Sequence, residues 1–449
     1  MANKFRFRSF RRAPKEWSEW VEYLTIALHS DTRWRLPLVL TGILLAKGRR
    51  TVTTWLRGAG LSKDYSEYYY FIYSLGRKIN PIAARVLQLV VKYLPLGDRI
   101  ILALDDTHTC RYGPKVEGAG LHHNPASGPV DQDFIYGHVW VTLAMVIRHP
   151  LWDAIALPLL AKLYVKAKDI PKLAGRGTWE FRTKLQLAFD MLEWAISKLK
   201  LLQRKIWIVM DGAYACRPLM KRLLQQSVVV VSRLRKDAAL HTVPPPRGPG
   251  QRGATRKYGR EKISLAKRAA HRQQWENVEV TVYGKTVTKK CKTFLATWRV
   301  VGGIIRVVIV REEKGWESFF CTNPDASVRE ILEAYADRSP IEQVFHDVKE
   351  IWGSGQQQVR NVWCNIACFN LNLWMYTLVE MWAWNKRSGE VMDRSLSPWD
   401  TSTRRPSHGD KRKALRLECL DQEFQHVTRN ANVVPQLRKL FESLALLAG

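Results

Sequence analysis

One carboxylate lies among two cations and a phenol in the pattern Tyr335-x2-Arg338-x3-Glu342-x6-Lys349. A carboxylate can bind a divalent cation, and the cations and the phenol can hold phosphate oxygens. The four residues would share a stripe about 60° wide on one uninterrupted helix. Pro340 falls inside the pattern and is expected to bend that helix. The combination therefore suits a metal-dependent reaction on a phosphodiester.

Two earlier apolar runs end in aspartates. IILALDDT, residues 100–107, ends with Asp105 and Asp106, and IWIVMDGAY, residues 206–214, contains Asp211. Two strand-end aspartates and a distant helical glutamate form a set of three carboxylates that is able to hold a pair of divalent cations. Neighbouring residues of a strand point to opposite faces, so we expect only one of Asp105 and Asp106 to bind metal.

Each of these acidic residues also has a purely structural interpretation. Ser339-x-x-Glu342 is a capping-box pattern with Pro340 at the favoured first helical position. Asp211 precedes a glycine and could cap the next helix. The residues alone leave both alternatives open.

The order DDT, then DGAY, then Y-x2-R-x3-E-x6-K resembles the DDE transposases of bacterial insertion sequences, in the cut-and-paste group with the Y-R-E-K signature. The segments LHHNPASG through YGHVWVTLAMV and GSGQQQVRN also resemble that group, so the resemblance covers roughly residues 45–375. It implies a fold of the RNase H-like, retroviral-integrase superfamily. It also implies a DNA transposase that cleaves the inverted-repeat ends of its element and joins the 3′-hydroxyl ends to target DNA.

The resemblance further implies roles for individual residues. The family motif places the first metal ligand immediately before the threonine, which is Asp106, with Asp105 behind it as a supporting group. Asp211 and Glu342 complete the catalytic set and would hold two Mg²⁺ ions, for which Mn²⁺ would substitute. An aromatic residue of the insertion domain stacks on a flipped base in related transposases, and Trp316 is the candidate here, with plain packing as the alternative.

The remaining candidate residues would contact DNA. Arg338 and Lys349 would hold phosphates at the transposon end, and Tyr335 could donate a hydrogen bond to the same phosphate. The expected partner is double-stranded DNA, as terminal repeats and as target, bound by a homodimer.

The composition agrees with such a partner. The chain has 449 residues, and 71 Lys and Arg against 41 Asp and Glu give a net charge of +30, which points to a polyanion. Seven scattered cysteines without a C-x2-C pair predict neither a zinc ribbon nor a disulfide framework. Only Val362–Trp384 raises a transmembrane question, and its asparagines and Glu380 favour a buried helix instead. We therefore expect a cytoplasmic, nucleoid-associated bacterial protein without membrane contact.

The chain is expected to be an α/β RNase H-like catalytic core that is interrupted by a mainly β insertion domain and preceded by an α-helical DNA-binding region. The predicted boundaries are a helical N-terminal region at 1–97, the first part of the core at 98–233, a β-rich basic insertion at 234–325, the C-terminal core helices at 326–386 and a basic tail at 387–449. The tail is either a further phosphate contact or simply solvated.

The insertion is predicted from the large number of residues between Asp211 and Glu342. Residues 241–273 are basic and carry PPPRGPG without clear periodicity, which predicts a flexible loop that binds DNA through residues such as Arg256, Lys257 and Arg260. Four strand-like segments follow, beginning with VEVTVYG and ending with WESFFCT.

Two rival functions stay open. One is a nuclease of the same fold that never joins DNA ends, and the other is a catalytically silent, transposase-derived DNA-binding protein. A carbohydrate hydrolase also uses paired carboxylates, but the charge of +30 fits it poorly.

Overall fold

The computed structural model describes residues 13–124, 132–173, 175–248, 252–393, 399–401, 404–428, 435–438 and 440–441. The chain begins with five helices: α1 (Lys15–Thr25), α2 (Arg35–Leu45), α3 (Val52–Gly58), α4 (Tyr65–Gly76) and α5 (Ile79–Tyr93). Gly76 allows α4 to lie directly against a later helix, because a Cβ there would meet the carbonyl oxygen of Trp363 at 1.9 Å. These helices therefore pack into the common core.

Strands and helices alternate in the next part of the chain. The elements are β1 (Arg99–Cys110), β2 (Gly120–His123), β3 (Phe134–His149), β4 (Asp153–Tyr164), α6 (Lys184–Leu199), β5 (Lys205–Met210), α7 (Arg217–Leu223) and β6 (Val229–Arg233). α6 begins at Lys184 because Thr183 and Gln186 form a capping box that fixes its first turn.

The segment between β6 and the third acidic candidate is mainly β. It contains β7 (Leu240–His241), β8 (Lys262–Ile263), α8 (Leu265–Ala270), β9 (Glu276–Val282), β10 (Lys285–Trp298), β11 (Gly303–Glu312) and β12 (Gly315–Cys321). The basic segment 241–273 is thus more ordered than a loop, since β8 and α8 lie within it. Ser264 caps α8 by accepting a hydrogen bond from the N–H of Lys267.

Five helices complete the described part of the chain: α9 (Val328–Ala336), α10 (Pro340–Glu350), α11 (Val362–Ala383), α12 (Ser388–Val391) and α13 (His408–Val427). All residues of α11 except Trp363 are buried. Its polar residues find partners within the protein; Asn370, for example, bonds both the N–H and the C=O of Ala161. Among the residues described, no helix is both long enough and apolar enough to cross a membrane.

All twelve strands belong to one mixed sheet in the order β2-β3-β1-β5-β6-β12-β11-β10-β7-β8, with β4 on β3 and β9 on β10. β1 runs parallel to β5 and antiparallel to β3, and β5 runs parallel to β6. β12 pairs with β6 in antiparallel fashion, so the strands that follow β6 extend the same sheet. A mixed α/β fold with one large sheet is the result.

Candidate active site

Asp105 and Asp211 lie side by side at the centre of the sheet. The parallel register of β1 and β5 pairs Leu104 with Met210, and Asp105 and Asp211 are the next residues along the chain. Adjacent strands are about 4.8 Å apart, and residues level with each other in parallel strands project to the same face. Unlike β5, β1 continues to Cys110, so Asp105 and Asp106 lie within the strand and not at its end.

A single guanidinium joins Asp105 to the glutamate of the signature pattern. Arg338 donates from Nη1 to Oδ2 of Asp105 and from Nη2 to Oε1 of Glu342, the latter over 2.7 Å. The Arg338 side chain is only 11% exposed, whereas that of Glu342 is 60% exposed. The bridge therefore brings a solvent-facing carboxylate on α10 to a largely buried carboxylate on β1.

The surroundings of Asp105 concentrate negative charge. Burial raises the pKa of Asp105 to about 6, although Arg338 and the N–H of Asp106 act in the opposite direction. The charges of Asp106 and Asp211 raise this pKa further, which shows that the three aspartates interact. One arginine is thus insufficient to balance the carboxylates at this place.

Asp106 has a separate set of partners. It accepts a hydrogen bond from Nζ of Lys184 at 2.6 Å and one from the hydroxyl of Tyr214 at 2.7 Å. Burial, followed by the charge of Asp106, raises the pKa of Tyr214, so its hydroxyl remains a donor. The structure therefore gives the two neighbouring aspartates different partners: Asp105 shares its register with Asp211 and its guanidinium with Glu342, whereas Asp106 contacts Lys184 and Tyr214.

Glu342 does not cap its own helix. Ser339 has the helical values φ −56° and ψ −33° and makes no capping hydrogen bond, so the predicted Ser339–Glu342 capping box is wrong. An N-cap residue needs an extended backbone, and Ser339 lacks it because a continuous helical turn links α9 to α10. A capping box does form at the start of α9, between Ser327 and Glu330. The carboxylate of Glu342 is therefore available for another role.

Lys349 lies further along α10, apart from the Arg338 bridge. Burial lowers the pKa of Lys349, and burial together with the Lys349 charge lowers the pKa of His108 on β1. Lys349 thus lies near the part of β1 that follows the aspartates. Its position flanks the carboxylates without joining their hydrogen bonds.

Tyr335 and Trp316 lie differently with respect to the carboxylates. Tyr335 packs on Phe319 of β12 with ring centroids 4.7 Å apart, and the Arg338 guanidinium lies 5.6 Å from its ring centroid. Trp316 is three residues from Phe319 along β12 and therefore projects to the opposite face. The ammonium group of Lys236 lies 4.9 Å from the Trp316 ring centroid. The structure thus brings Tyr335, but not Trp316, to the carboxylates.

The basic residues of the segment before β8 are exposed. Arg256, Lys257 and Arg260 all face solvent, and Arg256 and Arg260 line a surface cleft of about 680 Å³. The cleft is open and polar, which suits a charged backbone more than an apolar ligand.

The carboxylates fit a divalent cation chemically, although they do not enclose one here. Among the described residues, no group of three or more His, Cys, Asp or Glu side chains is arranged to hold a metal ion. The reason is visible at Asp105 and Glu342, since the cation between them is the Arg338 guanidinium. Carboxylate oxygens are the ligands that Mg²⁺ prefers, and Asp211 adds a third carboxylate beside that of Asp105.

Sequence analysis misses two residues of this site, Lys184 and Tyr214. Tyr214 follows Asp211 by three residues, and a 3-10 turn at Gly212–Tyr214 directs it back to Asp106. The motif DGAY carries that signal. Lys184 has no comparable signal, because its distance from Asp106 along the chain is large and only the packing of α6 brings them together.

The fold and the site define an α/β protein with clustered acidic side chains on central strands. A family model described as a DDE superfamily endonuclease matches residues 22–299, and the chain therefore belongs to that family. The matched range contains the three aspartates and ends before Glu342.

None of the curated proteins matches the chain in sequence. Among solved structures, the chain is similar to a piggyBac transposase in a synaptic complex with hairpin DNA, with a TM-score of 0.38 and 11% identity over 95% of this chain and 75% of that one.

Proposed function

We propose that this DDE superfamily endonuclease is a DNA transposase of the bacterial insertion-sequence group with the Y-R-E-K signature. It would bind the inverted-repeat ends of its element, cleave them by phosphoryl transfer and join the 3′-hydroxyl ends to target DNA. The single observation that carries the proposal is the bridge from Asp105 through Arg338 to Glu342, with Asp211 level with Asp105 on the neighbouring strand. Catalysis of this type requires such carboxylates at one place.

The proposed metal ligands are Asp105, Asp211 and Glu342. Two Mg²⁺ ions, or Mn²⁺ in their place, would supply activation of the attacking hydroxyl and stabilisation of the leaving oxygen. We propose Asp105 instead of Asp106 because Asp105 is level with Asp211 and shares the Arg338 guanidinium with Glu342. Asp106 would instead position α6 and the turn after β5 around the metal ligands.

The protein's own cations would orient the DNA. Arg338 can turn its guanidinium from the carboxylates to a phosphate once metal ions balance the acidic charge. Its buried Nε has no hydrogen-bond partner among the described residues, so this donor is also available to a phosphate. Tyr335 and Lys349 would hold the same strand from either side. Base stacking by Trp316 stays a prediction that would require the DNA to reach the other face of β12.

Several features support the proposed domain organisation. The order β4-β3-β1-β5-β6, with β3 antiparallel and β5 and β6 parallel to β1, is that of an RNase H-like core. The segment 234–325 would be the insertion domain, although its strands continue the sheet of the core. Arg256, Lys257 and Arg260 of that segment and the helices of 1–97 would bind the duplex. A homodimer would bring the two ends together.

The test uses a plasmid with a marker between the native flanking DNA of the gene, incubated with purified protein and Mg²⁺, followed by sequencing of the products. Excision with insertion of the marker elsewhere supports the transposase. Cleavage without joining favours the nuclease alternative. End-specific, salt-sensitive binding without cleavage favours the silent DNA-binding alternative.

A further inference from the structure

Three arginines converge at a place distinct from the carboxylates. Arg50 lies between α2 and α3, and Arg412 and Arg416 lie one turn apart on α13. Burial lowers the pKa of Arg412 to about 9, and the charges of Arg50 and Arg416 contribute to this shift. Burial also lowers the pKa of Arg416, again with a contribution from Arg50. Three positive charges therefore lie within interaction range of one another.

These charges lack a counter-charge. Arg412 is 9% exposed and Arg416 is 6% exposed. Among the described residues, none of the three guanidiniums has a carboxylate partner, and the Nε atoms of all three are shielded from solvent without a hydrogen bond. Buried charges are normally paired because an uncompensated one is costly. The Trp352 ring, whose centroid lies 4.9 Å from the Arg412 guanidinium, offers a partial compensation, and an additional anion would balance the remaining charge.

The hydrogen bonds that Arg412 makes all go to backbone carbonyls. Arg412 donates to the carbonyls of Leu44 and Ala46, each over 3.2 Å, and to that of Ile351 over 3.4 Å. These carbonyls lie at the ends of α2 and α10 and carry only partial negative charge. They fix Arg412 without neutralising it.

The other two guanidiniums keep free donors. Arg50 uses Nη1 on the carbonyl of Gly48 at 2.8 Å, and its backbone N–H donates to Oε1 of Gln356 at 2.9 Å. The Arg416 side chain makes no hydrogen bond in the part of the chain that the structure describes, and its amino nitrogens are not among the shielded atoms. The amino nitrogens of Arg416 and the Nη2 of Arg50 could therefore donate to a ligand.

We propose that Arg50, Arg412 and Arg416 form a binding site for a phosphate group. Guanidinium forks match the oxygens of phosphate and pair with them bidentately. We take the phosphate to be a backbone phosphate of DNA, and this choice of source rests on the proposed function. The existence of the site does not depend on that function, because free phosphate offers the same chemistry. A phosphate here would link the segment before α3 to α13, whose Arg412 donates to the carbonyl of Ile351 at the end of α10, the helix that carries Glu342.

Thermal unfolding of the full chain in EDTA tests the site without requiring catalysis. Sodium phosphate is compared with sodium chloride at constant ionic strength for wild type, Arg416→Gln and the control Lys413→Gln, which removes the same charge from the same helix. We expect phosphate to stabilise wild type and the control, and its apparent Kd to weaken about tenfold or more in Arg416→Gln, the loss expected for one charge-assisted hydrogen bond. Without phosphate, Arg416→Gln should be at least as stable as wild type, since it relieves repulsion.

Binding of a short DNA duplex over a series of KCl concentrations then identifies the source. If DNA supplies the phosphate, the magnitude of the slope of log K against log [KCl] decreases by about one in Arg416→Gln and is unchanged in Lys413→Gln. If only the phosphate stabilisation is lost, the site takes free phosphate. The proposal is overturned if Arg416→Gln and Lys413→Gln behave alike with both ligands. Absence of DNA cleavage would count against the proposed function and would leave this result intact.

Discussion

Arg338 holds Asp105 with one amino group of its guanidinium while the other amino group holds Glu342. A cation of the protein therefore occupies the place between two carboxylates that a divalent metal would otherwise balance. Arg338 keeps the acidic residues together, and under the proposed mechanism it would have to release them when metal binds. The stability and the proposed metal affinity of the site would then depend on the same side chain.

Replacement of Arg338 should destabilise the metal-free protein. Arg338→Gln leaves the largely buried Asp105 without a counter-charge, so we expect a loss of about 3 kcal/mol in the free energy of unfolding in EDTA. Urea denaturation measures this loss. The double variant with Asp105→Asn should recover much of it, since both partners are then neutral. Arg329→Gln on α9 removes an exposed cation from Glu333, which keeps Arg148 as a second partner, and should change stability by no more than about 0.5 kcal/mol.

The same substitution should have the opposite effect on metal binding. Mn²⁺ meets carboxylates that are no longer occupied in Arg338→Gln, so isothermal titration calorimetry should show an affinity higher than that of wild type, although DNA cleavage falls. Weaker binding of Mn²⁺ in this variant would mean that Arg338 organises the ligands instead of competing for them.

Glu380 anchors the C-terminal helix and should be important for stability. Burial alone would raise its pKa, but Lys411 and His408 hold the pKa of Glu380 at about 2. Glu380→Gln breaks this buried ion pair and should cost about 3–5 kcal/mol in urea denaturation at neutral pH. Glu418→Gln, which removes the partly exposed partner of Lys386, should cost less than about 1 kcal/mol.

The pH dependence of this effect has a definite sign. The pKa of Glu380 is lower in the folded protein than its ordinary value of 4.5, so its contribution is complete above that pH and is lost as the pH falls towards about 2. The difference between wild type and Glu380→Gln should therefore be constant from about pH 5 to pH 8 and shrink in acid. A difference that grows as the pH falls would contradict the assignment.

The exposed basic segment should control the salt dependence of DNA binding. Replacement of Arg256, Lys257 and Arg260 by Gln should reduce the magnitude of the slope of log K against log [KCl] by up to about three, because each phosphate contact contributes about 0.9 to that magnitude. Fluorescence anisotropy with a labelled duplex measures the slope. The control replaces Lys198, Lys200 and Lys221 by Gln. Lys198 and Lys200 lie at or just after the C-terminal end of α6, away from Asp211, and Lys221 lies in α7. This control should leave the slope nearly unchanged. Equal slopes in both variants would remove this segment from the DNA interface.

The sequence predicts the elements of the site better than their mutual arrangement. Apolar runs before Asp105 and Asp211 identify β1 and β5, and the signature pattern identifies the helix of Glu342. The choice between Asp105 and Asp106 depends on the register of β1 with β5, which no local pattern specifies.

The basic tail shows the same limit of sequence analysis. The sequence leaves open whether the tail is solvated or contacts phosphate, and the structure buries Lys411, Arg412 and Arg416, so these three do not form a solvated face. Lys411 has its partner on α11, and Arg412 donates to carbonyls at the end of α2 and beyond α10. These partners are remote in the chain, so only the tertiary structure reveals them.

The most direct test of the proposed active site is cleavage of DNA that carries the native flanks, in Mg²⁺, by wild type and single amide variants. The account predicts that Asp105→Asn, Asp211→Asn and Glu342→Gln each abolish cleavage while salt-sensitive DNA binding persists. Asp106→Asn should retain measurable cleavage, because Asp106 serves Lys184 and Tyr214. Full activity of Asp105→Asn together with an inactive Asp106→Asn would contradict the account.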